Sequence, residues 1–346
     1  ASANLATGGI KAMTMALISS GVGVFVVALG AVVAGIGGVI SKSAQYEKAL
    51  SGLKAITGAS AEDIARLSSE AKKLGSTTAF TASDVVALQT ELAKLGFKTD
   101  DISNSTADVL DLAAALDVNL AEAAEFTGSL IRSFGLTTEE TTRVVDVMAK
   151  STSSSALNFE SLKESLKLVA PVSTSVGVSL EKTTALLGVL ADRGLKGSIA
   201  GTGLAKTFIM LSKQGLTLEQ GLKKVTDSGF DLNTAIDLVG IVGAKTFITL
   251  AKGSEDIGKL EGALNNASGA AKTLADERLN NLTGDVTILK SAWEGFILAI
   301  EDGTGGLNKL GRFLVQLTTK AIAFFQEQVE LTAVSWEHMM LGIDAT

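Results

Sequence analysis

Three short stretches of this sequence share one pattern: Gly96-Phe-Lys-Thr-Asp-Asp101, Gly135-Leu-Thr-Thr-Glu-Glu140 and Gly177-Val-Ser-Leu-Glu-Lys182. Each has a glycine, an apolar residue, a hydroxyl side chain within the next two positions, and then an acid. A glycine of this kind ends a helix, and a hydroxyl followed by an acid begins the next one. The stretches are spaced by 39 and 42 residues. The pattern predicts short helices in a pseudo-repeat of about 40 residues.

Apolar residues between these stretches predict two helices in each repeat. The first helix ends near Leu112-Ala113, Met148-Ala149 and Leu190-Ala191, and a second one begins near Asn119-Leu120 and Asn158-Phe159. Helix pairs with this period are typical of solenoids. Helical hairpins within one compact domain are the alternative, and we favour it because two and a half units are few. The predicted fold class is all-α in either case.

The sequence upstream of the repeats also has helix start and stop signals. Ser60 predicts the start of one helix, which Gly75 is expected to end. Thr81 and Asp84 have the spacing of a capping box at the start of the next helix, and Gly96 is expected to end that helix.

The composition excludes several classes of site. The chain of 346 residues has no cysteine and a single histidine, His338, so cysteine zinc sites, disulfides, thiol nucleophiles and multi-histidine metal sites are excluded. A net charge of −7 argues against a surface dedicated to nucleic acid, which would be basic. We therefore expect a helical, non-catalytic protein with no metal, no cofactor and no specific nucleic-acid binding.

Two patterns that suggest chemistry are better explained by structure. Gly201-Thr-Gly-Leu-Ala-Lys206-Thr207 resembles a phosphate loop, but Ala205 stands where that loop needs a glycine. A glycine-rich helix connection that permits close packing is the preferred interpretation. The acids Asp84, Asp100, Glu139 and Glu181 stand at predicted helix starts, where capping accounts for them. The sequence thus predicts no catalytic residues and no enzyme activity.

The segment from Ala12 to Ser41 contains no charged residue. About 20 apolar residues suffice to cross a bilayer as a helix, so 1–42 is predicted to be a membrane-competent hydrophobic helix centred near Val27. Its small residues, which would let helices pack closely, are Gly23, Ala31, Ala34, Gly35 and Gly38. Burial inside a protein assembly is the alternative.

A second apolar region spans 286–346. Ile288, Leu289, Trp293, Phe296, Ile297 and Ile300 are spaced as one helical stripe. The region can lie at an interface, pair with another copy or form a second membrane helix, and packing within an oligomer is the first choice. The predicted domains are therefore 1–42, a helical core at 43–215, its helical continuation at 216–285, and the apolar helices at 286–346.

The order of motifs in the middle of the chain resembles the core region of the tail tape measure proteins of tailed phages. Gly75-Ser-Thr-Thr-Ala-Phe80, Leu92-Ala-Lys-Leu-Gly-Phe97, Phe134-Gly135 and Val169-Ala-Pro-Val172 are similar to segments of that family. Gly194-Leu-Lys-Gly197 and Ala200-Gly-Thr202-Gly-Leu204 resemble its last motif. The motif residues are Thr77, Thr78, Phe80, Gly96, Phe97, Gly135, Pro171, Gly194, Gly197, Gly201 and Thr202.

The resemblance implies a structural role. Such proteins fill the lumen of the tail tube, their length sets the tail length, and on infection they leave the tube and help the genome cross the host membrane. The implied partners are tail tube and tail tip or baseplate proteins, assembly chaperones, the host membrane, and further copies of the chain in a trimer or hexamer. Because the chain begins Ala-Ser-Ala without methionine and is short for this family, we expect a fragment. A pore-forming or membrane-inserting toxin-like protein is the alternative.

Overall fold

The computed structural model describes residues 44–301, which contain helices and no strand. Residues 45–292 form one compact unit, described here, and the part of the last helix beyond residue 292 belongs to a second unit. The helices are α1 (44–57), α2 (Ala61–Thr77), α3 (Ala82–Lys94), α4 (Thr99–Leu116), α5 (Leu120–Phe134), α6 (Thr141–Ser154), α7 (Phe159–Ser175), α8 (Leu180–Asp192), α9 (Gly197–Lys213), α10 (Leu218–Asp227), α11 (Leu232–Lys252), α12 (Ser254–Asn265), α13 (Ala270–Leu279) and α14 (Leu282–Glu301). The predicted all-α class is confirmed.

Helices α2 to α9 pair as hairpins that stack in chain order. Helices α2, α4, α6 and α8 contact one another in one layer, and α3, α5, α7, α9 and α11 form the second layer. Side chains join successive hairpins of the stack. The Ser105 and Thr141 hydroxyls lie 3.0 Å apart, and Arg143 Nε donates to Glu181 Oε1 at 2.7 Å. These partners are 36 and 38 residues apart, so the pseudo-repeat corresponds to the step from one hairpin to the next.

The chain does not continue as an open stack. Helix α12 packs on α8 and α6, and α13 packs on α4 and α6. These two helices therefore run back over the first layer and cover it. The result combines the two arrangements considered from the sequence, because the hairpins stack as in a solenoid while the last helices close one face of the stack.

Glycine stops define the hairpins. Gly96 follows the end of α3 with φ 89°, and Gly135 follows the end of α5 with φ 64°, a left-handed conformation that a side chain disfavours. The N–H of Phe97 donates to the Leu92 carbonyl at 3.2 Å, and the N–H of Gly96 donates to that of Ala93 at 2.9 Å. This pair of hydrogen bonds is a Schellman motif, which satisfies the last carbonyl groups of the helix.

The predicted helix start at Thr81 is correct, but the predicted stop at Gly75 is wrong. Asp84 N–H donates to Thr81 Oγ1 at 3.2 Å, and Thr81 N–H donates to Asp84 Oδ2 at 2.9 Å, which completes the capping box. Gly75 lies inside α2, which continues to Thr77. A Cβ at Gly75 would come within 2.7 Å of the Ala82 Cα, so this glycine permits a close helix contact rather than ending a helix.

Helix α11 is the one helix among residues 44–301 that is long and apolar enough to cross a membrane, and half of that apolar stretch is buried in the protein. Gly240 interrupts it with φ 73° and ψ 167°, a conformation essentially restricted to glycine. Ile241, just beyond this kink, is exposed. The predicted membrane segment 12–41 lies outside the described residues, as do Gly23, Val27, Ala31, Ala34, Gly35 and Gly38.

Candidate functional site

The first motif residues line an open cavity of about 450 Å³. The cavity lies where α2 ends, beside α4, α13 and the first turns of α14. Its wall includes Thr77 at the end of α2 and Thr78 and Phe80 from the segment that follows it. The other lining residues include Leu110, Asp111 and Ala114 from α4, Lys272, Ala275 and Asp276 from α13, and Asp285 and Ile288 from α14. The motif therefore stands at the junction between the first hairpin and the helices that return over the stack.

Asp111 is the most perturbed titratable group of this cavity. Burial raises the pKa of its carboxyl to about 6, Lys272 opposes this change, and the nearby carboxylates Asp108 and Asp276 add to it. Burial also raises the pKa of Asp108, against the hydrogen bond that the Thr142 hydroxyl donates at 2.7 Å. Asp111 is therefore expected to take up a proton near pH 6, and below that pH it loses its negative charge.

A buried carboxylate fixes α13 beside this cavity. The N–H of Gly269 donates to Asp146 Oδ2 at 2.8 Å, and the N–H of Ala271 donates to Asp146 Oδ1 at 2.9 Å. Gly269 is the N-cap residue of α13 and has no side chain to accept these hydrogen bonds. Asp146, which lies on α6, therefore supplies the cap from 123 residues away.

A second buried acid joins α6 to α8. Arg143 holds both carboxylate oxygens of Glu181, with Nε–Oε1 and Nη2–Oε2 distances of 2.7 and 2.9 Å. Burial is the largest single influence and would raise the pKa of Glu181. The hydrogen bonds and charge of Arg143, together with hydrogen bonds from the Glu181 backbone and Ser179, outweigh it in sum and hold that pKa below its ordinary value. The acids predicted to be helix-start residues thus have different roles, because Asp84 completes a cap whereas Glu181 is a buried partner of arginine.

The last motif residues lie between α7 and α11, not in a loop. Gly201 belongs to the interior of α9, and a Cβ there would lie 2.6 Å from the Ser165 carbonyl oxygen of α7. On another face of α9, a Cβ at Gly203 would clash with the Thr246 side chain of α11. The stretch that resembles a phosphate loop is therefore helical, and its glycines serve close helix contacts rather than forming the predicted connection.

The other motif residues have separate structural positions. Gly194 follows the end of α8 with φ 81°, and Gly197 begins α9 with φ 59° beside the Glu164 carboxylate. Pro171 lies inside α7 on its exposed side, and its missing N–H leaves one helical hydrogen bond unmade. Phe97 is buried, and Thr202 is exposed in a shallow groove beside Ile199. The motif residues are thus distributed along the stack, and only Thr77, Thr78 and Phe80 share one cavity.

Sequence reasoning missed the groups that close the fold. Neither Asp146 nor Asp111 was singled out as a candidate site residue. No local signal marks either of them, since their partners are distant in the chain. Within residues 44–301, no group of three His, Cys, Asp or Glu side chains is arranged to hold a metal ion.

Comparison with known proteins assigns the family. The family model for phage-related minor tail proteins matches residues 68–287. The chain is 29% identical over 285 residues to the tape measure protein of Pneumococcus phage Dp-1, an alignment that covers 74% of this chain and 25% of that protein. It is 25% identical over 323 residues to the probable tape measure protein of Escherichia phage P2, covering 84% of this chain and 40% of that protein.

No solved structure matches the chain. The chain spans between a quarter and two fifths of the length of these two relatives. The matched region, 68–287, includes the stacked hairpins from α3 onward and both returning helices. The resemblance found in the motifs is therefore confirmed over most of the described unit, and the chain belongs to the phage-related minor tail protein family.

Proposed function

We propose that this chain is part of a tape measure protein that occupies the lumen or tip of a phage tail and, within a longer protein, sets the tail length. The observation that carries the proposal is the family match over 68–287, together with two relatives that are named tape measure proteins. The proposed partners are the tail tube and tip proteins, assembly chaperones and further copies of the same chain. Its location is the virion tail.

The fold is compatible with a structural role. Stacked hairpins are held by glycine contacts such as Gly201 with Ser165, and by ion pairs such as Arg143 with Glu181. Contacts of this kind fix the positions of helices relative to one another. They support a scaffold role more directly than a reaction.

Composition of purified tails tests this proposal. Tails separated from heads and lysate are digested, and peptides from 68–287 are quantified against the tube protein by mass spectrometry. We expect the chain in purified tails at a low, fixed copy number per tail. Recovery of the chain only from the lysate would contradict the proposal.

We further propose that 12–41 enters the host membrane when the genome is ejected. A helix satisfies every backbone polar group within lipid, and 30 consecutive uncharged residues are long enough to span it. Val27→Asp places a charge near the centre of this segment, at a cost of about 3 kcal/mol for each inserted copy. We expect tails of normal length that adsorb normally but deliver at least about tenfold less DNA.

Val27→Leu is the matched control, since it keeps the segment apolar, and it should deliver DNA as the parent does. Normal delivery by the Val27→Asp phage would show that the segment does not act in the membrane. The uncharged run also favours one other function, that of a free pore-forming protein. Leakage from liposomes treated with the purified chain alone, combined with its absence from tails, would support that function instead.

A further inference from the structure

Helix α14 exposes a stripe of large apolar side chains. Leu282, Val286 and Leu289 are 58%, 56% and 41% exposed, and Trp293 on the same helix is also exposed. Their spacing is four, three and four residues, the spacing that keeps side chains on one seam of a helix. Exposed apolar residues in this arrangement are typical of a helix that packs against another helix.

This seam differs from the stripe predicted from the sequence. Ile288 lines the cavity beside α13, and Ile297, which belongs to the second unit, is buried, so neither residue is part of the exposed seam. Leu289 and Trp293 belong to the seam, together with Leu282 and Val286, which the prediction left out. Helix α14 therefore has separate inner and outer apolar faces.

The same spacing continues in the sequence beyond Trp293. Phe296 and Ile300 follow at three and four residues, and after the glycine-rich stretch 303–306 the register resumes at Leu307, Leu310, Leu314 and Leu317. In heptad terms, Leu282, Leu289 and Phe296 occupy d positions, while Val286, Trp293 and Ile300 occupy a positions. At its start the seam thus has leucine at d and the β-branched Val286 at a, a combination that parallel helix pairs use.

The charges beside the seam distinguish between two copies in parallel and in antiparallel orientation. Asp285 is at a g position and Lys290 is at the e position five residues later, and both are exposed. In a parallel pair in register, g of one helix faces this e of its partner, so Asp285 would meet Lys290 twice across the seam. In an antiparallel pair g positions face g positions and e positions face e positions, so Asp285 would not meet Lys290.

We propose that the Leu282–Val286–Leu289 seam of α14 binds the same seam of a second copy of this chain, parallel and in register. The inference rests on the proposed tail function for its setting, because a tail that holds several copies brings these helices together. It names the face through which the copies meet. Complementary charges and a self-matching seam favour a second copy over an unrelated partner.

Single cysteines test the pairing, since the chain has none of its own. Leu289→Cys in the full chain places a thiol on the seam, and Leu168→Cys on α7 is the matched control because both leucines are 41% exposed. After mild oxidation we expect about tenfold more covalent dimer from Leu289→Cys, because a disulfide requires Cβ atoms about 4 Å apart. Circular dichroism of both variants checks that they fold.

Charge exchange tests the orientation. In the Leu289→Cys background, Asp285→Lys sets two lysines against each other and should lower dimer yield about threefold, and adding Lys290→Asp should restore it. Equal yields from Leu289→Cys and Leu168→Cys, or a yield that Asp285→Lys leaves unchanged, would overturn the proposal. Purified tails that contain the chain but give no Leu289→Cys cross-link would overturn the pairing and leave the proposed tail function intact.

Discussion

The contact of α7 with α9 and the contact of α6 with α13 both hold a helix against the stack, but their chemistry is opposite. At α7–α9, the absent side chain of Gly201 lets the backbones of helices that are neighbours in the stack meet. At α6–α13, the Asp146 carboxylate binds main-chain N–H groups 123 and 125 residues away. The contact of α7 with α9 thus depends on the absence of a side chain, whereas the contact of α6 with α13 includes a charged side chain that caps the second helix.

Filling the glycine contact should have the largest effect. Gly201→Leu would force α7 and α9 apart, because even a Cβ would lie 2.6 Å from the Ser165 carbonyl oxygen. We expect a loss of about 3 kcal/mol in the free energy of unfolding. Urea unfolding followed by circular dichroism measures it.

Gly262 on α12 provides the matched control. A Cβ there meets nothing within 4 Å, and its φ is not positive. Gly262→Ala should therefore raise the free energy of unfolding by up to about 1 kcal/mol, through helix propensity alone. If Gly201→Leu proved as harmless as Gly262→Ala, the close approach of α7 and α9 would not stabilise the fold.

Removing the carboxylate at α13 should have a smaller and more local effect. Asp146→Ala leaves the N–H groups of Gly269 and Ala271 without their acceptor, which should cost about 2 kcal/mol. Hydrogen exchange should accelerate at Ala271 and along α13, while α7 and α9 keep their protection. Asp146→Asn retains one acceptor oxygen and should lose about half as much. Uniform acceleration across all helices would show that α13 does not open separately.

The smallest effect concerns pH. The pKa of Asp111 is raised to about 6 in the folded chain, so the folded state disfavours its ionised form. This group therefore adds stability below its unfolded pKa, near 4, and that stability is lost as the pH rises through 6.

Asp111→Asn should raise the free energy of unfolding at pH 7 by about 1 kcal/mol, after allowance for solvent screening of this half-buried group. The gain of the variant over the parent should vanish near pH 4. Urea unfolding at pH 4, 5.5 and 7 measures both. A difference that does not change with pH would show that the carboxyl titrates as in water.

The sequence predicted features that depend on residues close together in the chain, and missed those that depend on distant residues. The stop at Gly96 and the start at Thr81 were correct, because a cap is made within a few residues of its own helix. Gly75 was misinterpreted, since the same residue that ends helices also permits close contacts, and only the position of Ala82 distinguishes them. The cap that Asp146 gives to Ala271 follows from no local pattern.

The cavity was predictable in part. Thr77, Thr78 and Phe80 were singled out as motif residues, but their neighbours Asp111 and Lys272 come from helices far along the chain. Burial, which raises the pKa of Asp111, is a property of the assembled stack. The motif therefore identified one wall of the cavity, whereas the walls formed by α4, α13 and α14 could not be predicted from it.

Because of the long-range cap at Asp146, the described unit should resist force differently depending on which end of the chain is pulled. The two hydrogen bonds of this cap join α6 to the start of α13, so the chain between them, α7 to α12, forms a closed loop. A force applied at the carboxyl-terminal side is not transmitted to this loop until α13 detaches. Under tension from that side we expect one early peak of resistance as these hydrogen bonds break, followed by unfolding of the enclosed helices in reverse order. Under tension from the amino-terminal side we expect α1 to α5 to unfold first, and the cap on α13 to be lost only when α6, which carries Asp146, unfolds. The same fold should therefore resist tension from the carboxyl-terminal side mainly at one contact, and unfold helix by helix under tension from the amino-terminal side.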